Sequence, residues 1–220
     1  MKKVHVAAVA VVIIVVTLVA YAGWRRSGPN QFEAAFNPGG TVTLDLSAGG
    51  YHVQGTNENR IRVEPYPGDR GEFRSRIDVN GANARVELEG PSNNFAVTIF
   101  VPQRSDLNVD QTIGDLVIRD VIGNKNVGLA IGKLQIELPN DTALPSFQGG
   151  VIIGDLRPSN WHIEKGGFFR SFNSSSPSPY SIVAHVDIGE LSTFESGSHS
   201  QQADNAGDHV TQQDSAHDSH

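Results

Sequence analysis

Four times in this chain an isoleucine and a leucine flank a glycine and a charged residue: Ile113-Gly114-Asp115-Leu116, Ile131-Gly132-Lys133-Leu134, Ile153-Gly154-Asp155-Leu156 and Ile188-Gly189-Glu190-Leu191. In a straight β-strand, positions three apart point to opposite faces, which would split each isoleucine and leucine between core and water. A glycine between them admits backbone angles closed to other residues and allows a bend or bulge. The pattern therefore predicts structural corners at Gly114, Gly132, Gly154 and Gly189, with both flanking apolar side chains turned inward. The third position holds Asp, Lys, Asp and Glu; no single ion site tolerates both signs, so it is expected to face solvent. The glycines are 18, 22 and 35 residues apart. That irregular spacing suits a short β-solenoid or pleated stack of strands, each unit laid over the previous one. A β-sandwich of hairpins is the alternative.

The rest of the body carries the period-2 alternation of strands. Val42, Leu44 and Leu46 share one face of "TVTLDL". Ile61 and Val63 repeat the pattern in "RIRVEPY", as do Val86 and Leu88 in "ARVELEG". In "FAVTIFVP", Phe95, Val97, Ile99 and Val101 form one apolar face. Turn signals punctuate these runs at Pro38-Gly39-Gly40, Gly49-Gly50, Pro67-Gly68-Asp69, Asn80-Gly81 and Gly90-Pro91. No stretch beyond residue 26 has an apolar period of 3.6, so the expected fold class is all-β.

The N-terminus is different in kind. Val4 to Trp24 is free of Lys, Arg, Asp and Glu and is dominated by Val, Ile and Ala. As a helix it would span about 31 Å, matching a hydrocarbon core of about 30 Å. Tyr21 and Trp24 sit where interfacial aromatics belong. Residues 1–26 are therefore expected to form an uncleaved single-pass membrane anchor. The competing reading is a signal peptide cut after Ala20-Tyr21-Ala22, although the apolar run exceeds the usual signal core of about 7–15 residues. A short turn-rich linker at 27–31 follows, then an all-β domain over 32–195. With Lys2 and Lys3 balanced by Arg25 and Arg26, flanking charge scarcely biases the orientation; an exported, extracytoplasmic body is the reading adopted here.

Charge and cysteine usage narrow the function classes. Four of the 17 basic residues and none of the 24 acidic ones lie in the first 26 residues, which leaves 13 basic against 24 acidic, a net −11. Such a body repels nucleic-acid phosphate. The absence of cysteine excludes disulfides, thiolate metal sites and a thiol nucleophile.

Val101-Pro102 closing a strand, then Leu107 to Val109, then recurring Gly-Asp-Leu corners, resemble the bacterial "putative-adhesin" or "toast-rack" β domains over roughly residues 32–195. The resemblance implies a β domain fixed to the cell envelope by one transmembrane helix. It brings no catalytic residues with it.

No nucleophile elbow, zincin helix, P-loop or dinucleotide fingerprint is present, so catalysis is not expected and no catalytic, cofactor or metal residues are assigned. Glu58, Glu64 and Glu72 are spread along strands and turns, as on a solvated surface. The expected role is adhesion, scaffolding or envelope sensing by binding alone. The alternative is an envelope enzyme acting on glycans, with a site assembled only in space.

Two segments lie outside this scheme. Residues 196–220 are rich in Ser, Gln, Asp and His and lack the apolar content for a core, which predicts a disordered tail. His199, His209, His217 and His220, with Asp204, Asp208, Asp214 and Asp218, lack the fixed spacing of a built metal site. Between the third and fourth repeats, residues 157–180 gather Trp161, Phe168, Phe169, Phe172 and Tyr180 with Lys165 and Arg170. Exposed, these aromatics would make a patch for an envelope protein, glycan or lipid; packed, they would cap the open end of the strand stack. The cap is the favoured reading.

Overall fold

The computed structural model describes residues 30–66, 73–90, 95–138 and 144–195. Residues 4–24, the tail 196–220 and the Pro67-Gly68-Asp69 turn lie outside that set. Among the described residues no helix is long and apolar enough to cross a membrane.

The described chain is all-β and forms one mixed sheet system. Seven short strands come first: β1 (Glu33–Ala35), β2 (Thr41–Leu46), β3 (Gly50–Thr56), β4 (Arg60–Pro65), β5 (Arg74–Asn80), β6 (Asn83–Glu89) and β7 (Ala96–Pro102). Four long strands each contain one copy of the repeat: β8 (Asp106–Arg119), β9 (Lys125–Leu138), β10 (Ser146–Pro158) and β12 (Ser181–Glu195). A 3-10 turn (Ser159–Trp161) and β11 (Lys165–Ser174) fill the gap between β10 and β12.

The long strands pair in parallel and in register, so the repeats stack. Gly114 lies beside Gly132, Gly132 beside Gly189, and Gly189 beside Gly154. Strand order is thus β8-β9-β12-β10, with β11 antiparallel on the outer side of β10. The fourth repeat is inserted between the second and the third, rather than each unit lying on the one before it. The segment 157–180 makes this possible, because it carries the chain out to the sheet edge and back.

The glycines divide each long strand into two halves. In β8, Leu107, Val109 and Gln111 are buried before Gly114, and Leu116 and Ile118 after it. The inward phase shifts by one residue across the corner. The first halves join a sheet that continues through β2, β6 and β5. The second halves join one that continues through β3, β7, β4 and β1. Inward side chains of both, among them Leu44, Val109 and Val186 from the first and Tyr51, Leu116 and Leu191 from the second, merge into a single core.

Here the expectation that both flanking apolar residues turn inward is corrected. Leu116, Leu134, Leu156 and Leu191 are buried, whereas Ile113, Ile131, Ile153 and Ile188 face solvent. Because the chain passes from one sheet to the other at the corner, the inward phase restarts at the leucine. The isoleucine is left outside the bend.

Candidate functional site

The corner is built from backbone. Gly114, Gly132, Gly154 and Gly189 have φ of +121°, +143°, +133° and +141°, a region essentially reserved for glycine. A Cβ on Gly132 would lie 2.7 Å from the Gly114 carbonyl carbon and nearer still to its oxygen. Gly189 meets Gly132 in the same way, and Gly154 meets Gly189. Neighbouring long strands therefore touch backbone to backbone along this line. At the β8 end Gly114 meets the Gly49 carbonyl in the same way, and the buried Gln111 Nε2 donates to the carbonyls of Gly49 and Ile113 at 2.8 and 3.1 Å.

On either side of the glycines run two rows of side chains. The third positions form one row, Asp115–Lys133–Glu190–Asp155. Lys133 pairs with Glu190 at 3.7 Å, and Arg157 reaches Asp155, Glu164 and Glu190 at 2.8, 3.0 and 3.5 Å. Stacking has turned mixed signs into a partly exposed ion-pair network. The isoleucines form the other row, Ile113–Ile131–Ile188–Ile153, and register adds Phe168 of β11 beside Ile153. The four isoleucines are 40–49% exposed, Phe168 65% and the adjacent Phe169 81%. The sequence alone did not reveal this ridge as a surface feature, although the repeat already placed an isoleucine at the same position each time.

The aromatic segment is divided by the fold. Trp161 and Phe172 pack on the buried Phe147, with ring centroids 5.0 and 6.2 Å from it, and so close the core at the β10 end. Phe168 and Phe169 point away from that cluster into solvent. Tyr180 is exposed, and its carbonyl accepts from the Ser146 backbone N–H. The segment forms a ten-residue edge strand rather than a free loop. β11 follows the corner of β10, with Gly167 (φ +112°) opposite Gly154. Phe169 takes a left-handed backbone at φ +53°, which costs an L-residue of order 1 kcal/mol or more. Among the described residues Phe169 is the most exposed large apolar side chain, and it sits at a sheet edge.

The same edge is guarded. Lys165 Nζ donates to the Ser171 carbonyl at 2.9 Å, and Arg170 Nε to the Gly166 carbonyl at 2.7 Å. Charged side chains over edge carbonyls are a common way of hindering strand addition.

Among the described residues no group of three or more His, Asp or Glu is arranged to hold a metal ion. Two titratable groups are perturbed by burial. Lys125 is buried at the start of β9, its Nζ donating to the carbonyls of Val121 and Gly123 at 2.8 and 3.2 Å. Burial lowers its pKa to about 8, opposed by the Asp106 carboxylate. His52, stacked on Tyr66 at 4.7 Å, is lowered by burial and by Arg119, while Asp115 opposes the shift.

No family model matches the chain, and no curated protein is similar to it. Among solved structures, it is similar to a "putative cell adhesion protein" from Clostridium sporogenes ATCC 15579 (12% identity, TM-score 0.43, covering 74% of this chain and 97% of that one). It is also similar to a "putative adhesin" from Bacteroides fragilis NCTC 9343 (9% identity, TM-score 0.24, covering 74% and 95%).

Proposed function

We propose that the chain is a single-pass membrane protein whose extracytoplasmic β domain, a short β-solenoid, works by binding alone, in adhesion, scaffolding or envelope sensing. The observation that carries this reading is the pair Phe168–Phe169. These are the most exposed large apolar residues described, and they are held at the edge of a stack whose every long strand is fixed by in-register pairing. An apolar anchor on a stiff scaffold, on a strand that also carries Lys165 and Arg170, has the composition of a recognition surface: aromatic residues with charged ones nearby. The uncharged 4–24 segment supplies the attachment, and the adhesin-like resemblance in the sequence points the same way.

The test is capture from envelope fractions by the full-length protein in detergent, comparing wild type with Phe168→Ser/Phe169→Ser. Both side chains are exposed, so the variant should keep the far-ultraviolet circular dichroism of the wild type while losing most of its captured material. A folded variant that captures the same material at the same level removes this surface from the function.

A further inference from the structure

We propose that the ridge Ile113–Ile131–Ile188–Ile153–Phe168 is a self-association surface, on which a second copy of the chain packs with its own ridge running antiparallel about a two-fold axis. This rests on the binding reading above and names the partner.

Three observations support a second copy as the occupant. The first is area. With roughly 200 Å² for the full surface of each such side chain, the five ridge residues leave about 500 Å² of apolar surface in water. That is the upper end of what monomers tolerate as a patch and most of the roughly 800 Å² per partner of a stable interface, the charged rim supplying the remainder. The second is shape. Five residues in register at a strand spacing of about 4.8 Å make a straight ridge roughly 19 Å long, which a copy of itself can meet along its whole length. The third is charge. Lys165 and Arg170 lie on the same edge strand as Phe168, Lys165 with its ammonium 5.9 Å over the Phe172 ring, and the exposed Asp115 is two residues from Ile113 at the other end. Antiparallel ridges bring the basic end of each protomer to the acidic end of the other, twice per dimer, as an isologous interface requires. Arg170 uses Nε on the Gly166 carbonyl, which leaves its two terminal nitrogens to reach a partner carboxylate.

The contact is between side chains rather than by strand addition, because Lys165 and Arg170 already cover edge carbonyls of β11. An anionic membrane surface is a poorer fit, since Asp115, Asp155, Glu164 and Glu190 line the ridge.

A chain without cysteine makes the test clean. Ile188 is the middle residue of the five, so an antiparallel two-fold brings it to its own copy. In full-length protein held in detergent, Ile188→Cys should oxidise to a covalent dimer with copper-phenanthroline. Asn126→Cys, exposed on β9 away from the ridge, should stay largely monomeric. Ile113→Cys mixed with Phe168→Cys should give a cross-linked heterodimer in excess of either variant alone, because antiparallel pairing juxtaposes the two ends. If Ile188→Cys cross-links no more than Asn126→Cys, the proposal fails. It also fails if an environment-sensitive dye on Ile188→Cys shifts to the blue only when phosphatidylcholine vesicles are added, which would assign the ridge to lipid. Cross-linking that persists when envelope capture fails retains self-association and removes an outside partner. Capture without cross-linking does the reverse.

Discussion

Replacing Gly132 with alanine should destabilise the domain far more than the same change at Gly81, and the contrast isolates what the glycine ladder contributes. Both glycines have positive φ, +143° and +60°. At Gly81, in the turn between β5 and β6, an added Cβ meets nothing within 4 Å, and φ +60° lies in the left-handed region that other residues can enter. Gly81→Ala should therefore cost only about 1 kcal/mol, the ordinary penalty of that conformation. At Gly132 the new Cβ would stand 2.7 Å from the Gly114 carbonyl carbon, against an ordinary carbon–carbon contact of about 3.5–4.0 Å. The obstacle is backbone, so it cannot swing aside. The two strands β8 and β9 must part by about 1 Å at that point, at the expense of one or two ladder hydrogen bonds at about 1 kcal/mol each. The φ near +143° adds about 1–3 kcal/mol of strain. The combined loss is about 2–5 kcal/mol, a large fraction of the 5–15 kcal/mol by which domains are typically stable. Urea unfolding followed by far-ultraviolet circular dichroism measures both variants against wild type. A Gly132→Ala midpoint no lower than that of Gly81→Ala would refute the claim that these strands are held at backbone contact.

Lys125 makes stability depend on pH: its folded pKa of about 8 lies below the usual 10.5, so the folded state gives up its proton first. Folding then bears the full desolvation penalty below about pH 8 and is relieved as pH rises toward 10.5, by at most about 3 kcal/mol. The urea midpoint should climb between about pH 8 and 9.5, below the range where the Tyr51 phenol, raised by burial, ionises. Lys125→Met should flatten that slope; an unchanged slope would place its origin elsewhere. Leu134→Ala, at a fully buried position under the second corner, should cost about 2–5 kcal/mol, while Ile131→Ala three residues earlier should stay within about 0.5 kcal/mol by the same assay. The proposed anchor over residues 4–24 is checked by amino-terminal sequencing of membrane-extracted protein, where a mature chain starting at Gly23 would defeat it.

Period-2 alternation is a local property, and so the strands around Val42, Leu44 and Leu46, around Ile61 and Val63, and around Val97, Ile99 and Val101 were legible without coordinates. Each buries the side chains its pattern selects. That Ile-Gly-x-Leu recurs four times with a mixed-sign third position was legible as well. Which way its isoleucine faces was not. That depends on the inward phase restarting at the corner, a consequence of two sheets meeting and not of the four residues themselves. Nor could the order β9-β12-β10 be read from sequence: the four repeats are nearly equivalent, so parallel register fits any of them beside any other. Only the reach of 157–180 and the packing of Trp161 and Phe172 on Phe147 settle which pair become neighbours. Phe168 and Phe172 sit four residues apart in one Gly/Ser-rich segment, identical as symbols. One lies against the end of a core assembled from distant strands while the other faces water, and only the tertiary structure puts Phe147 beneath the first of those two places.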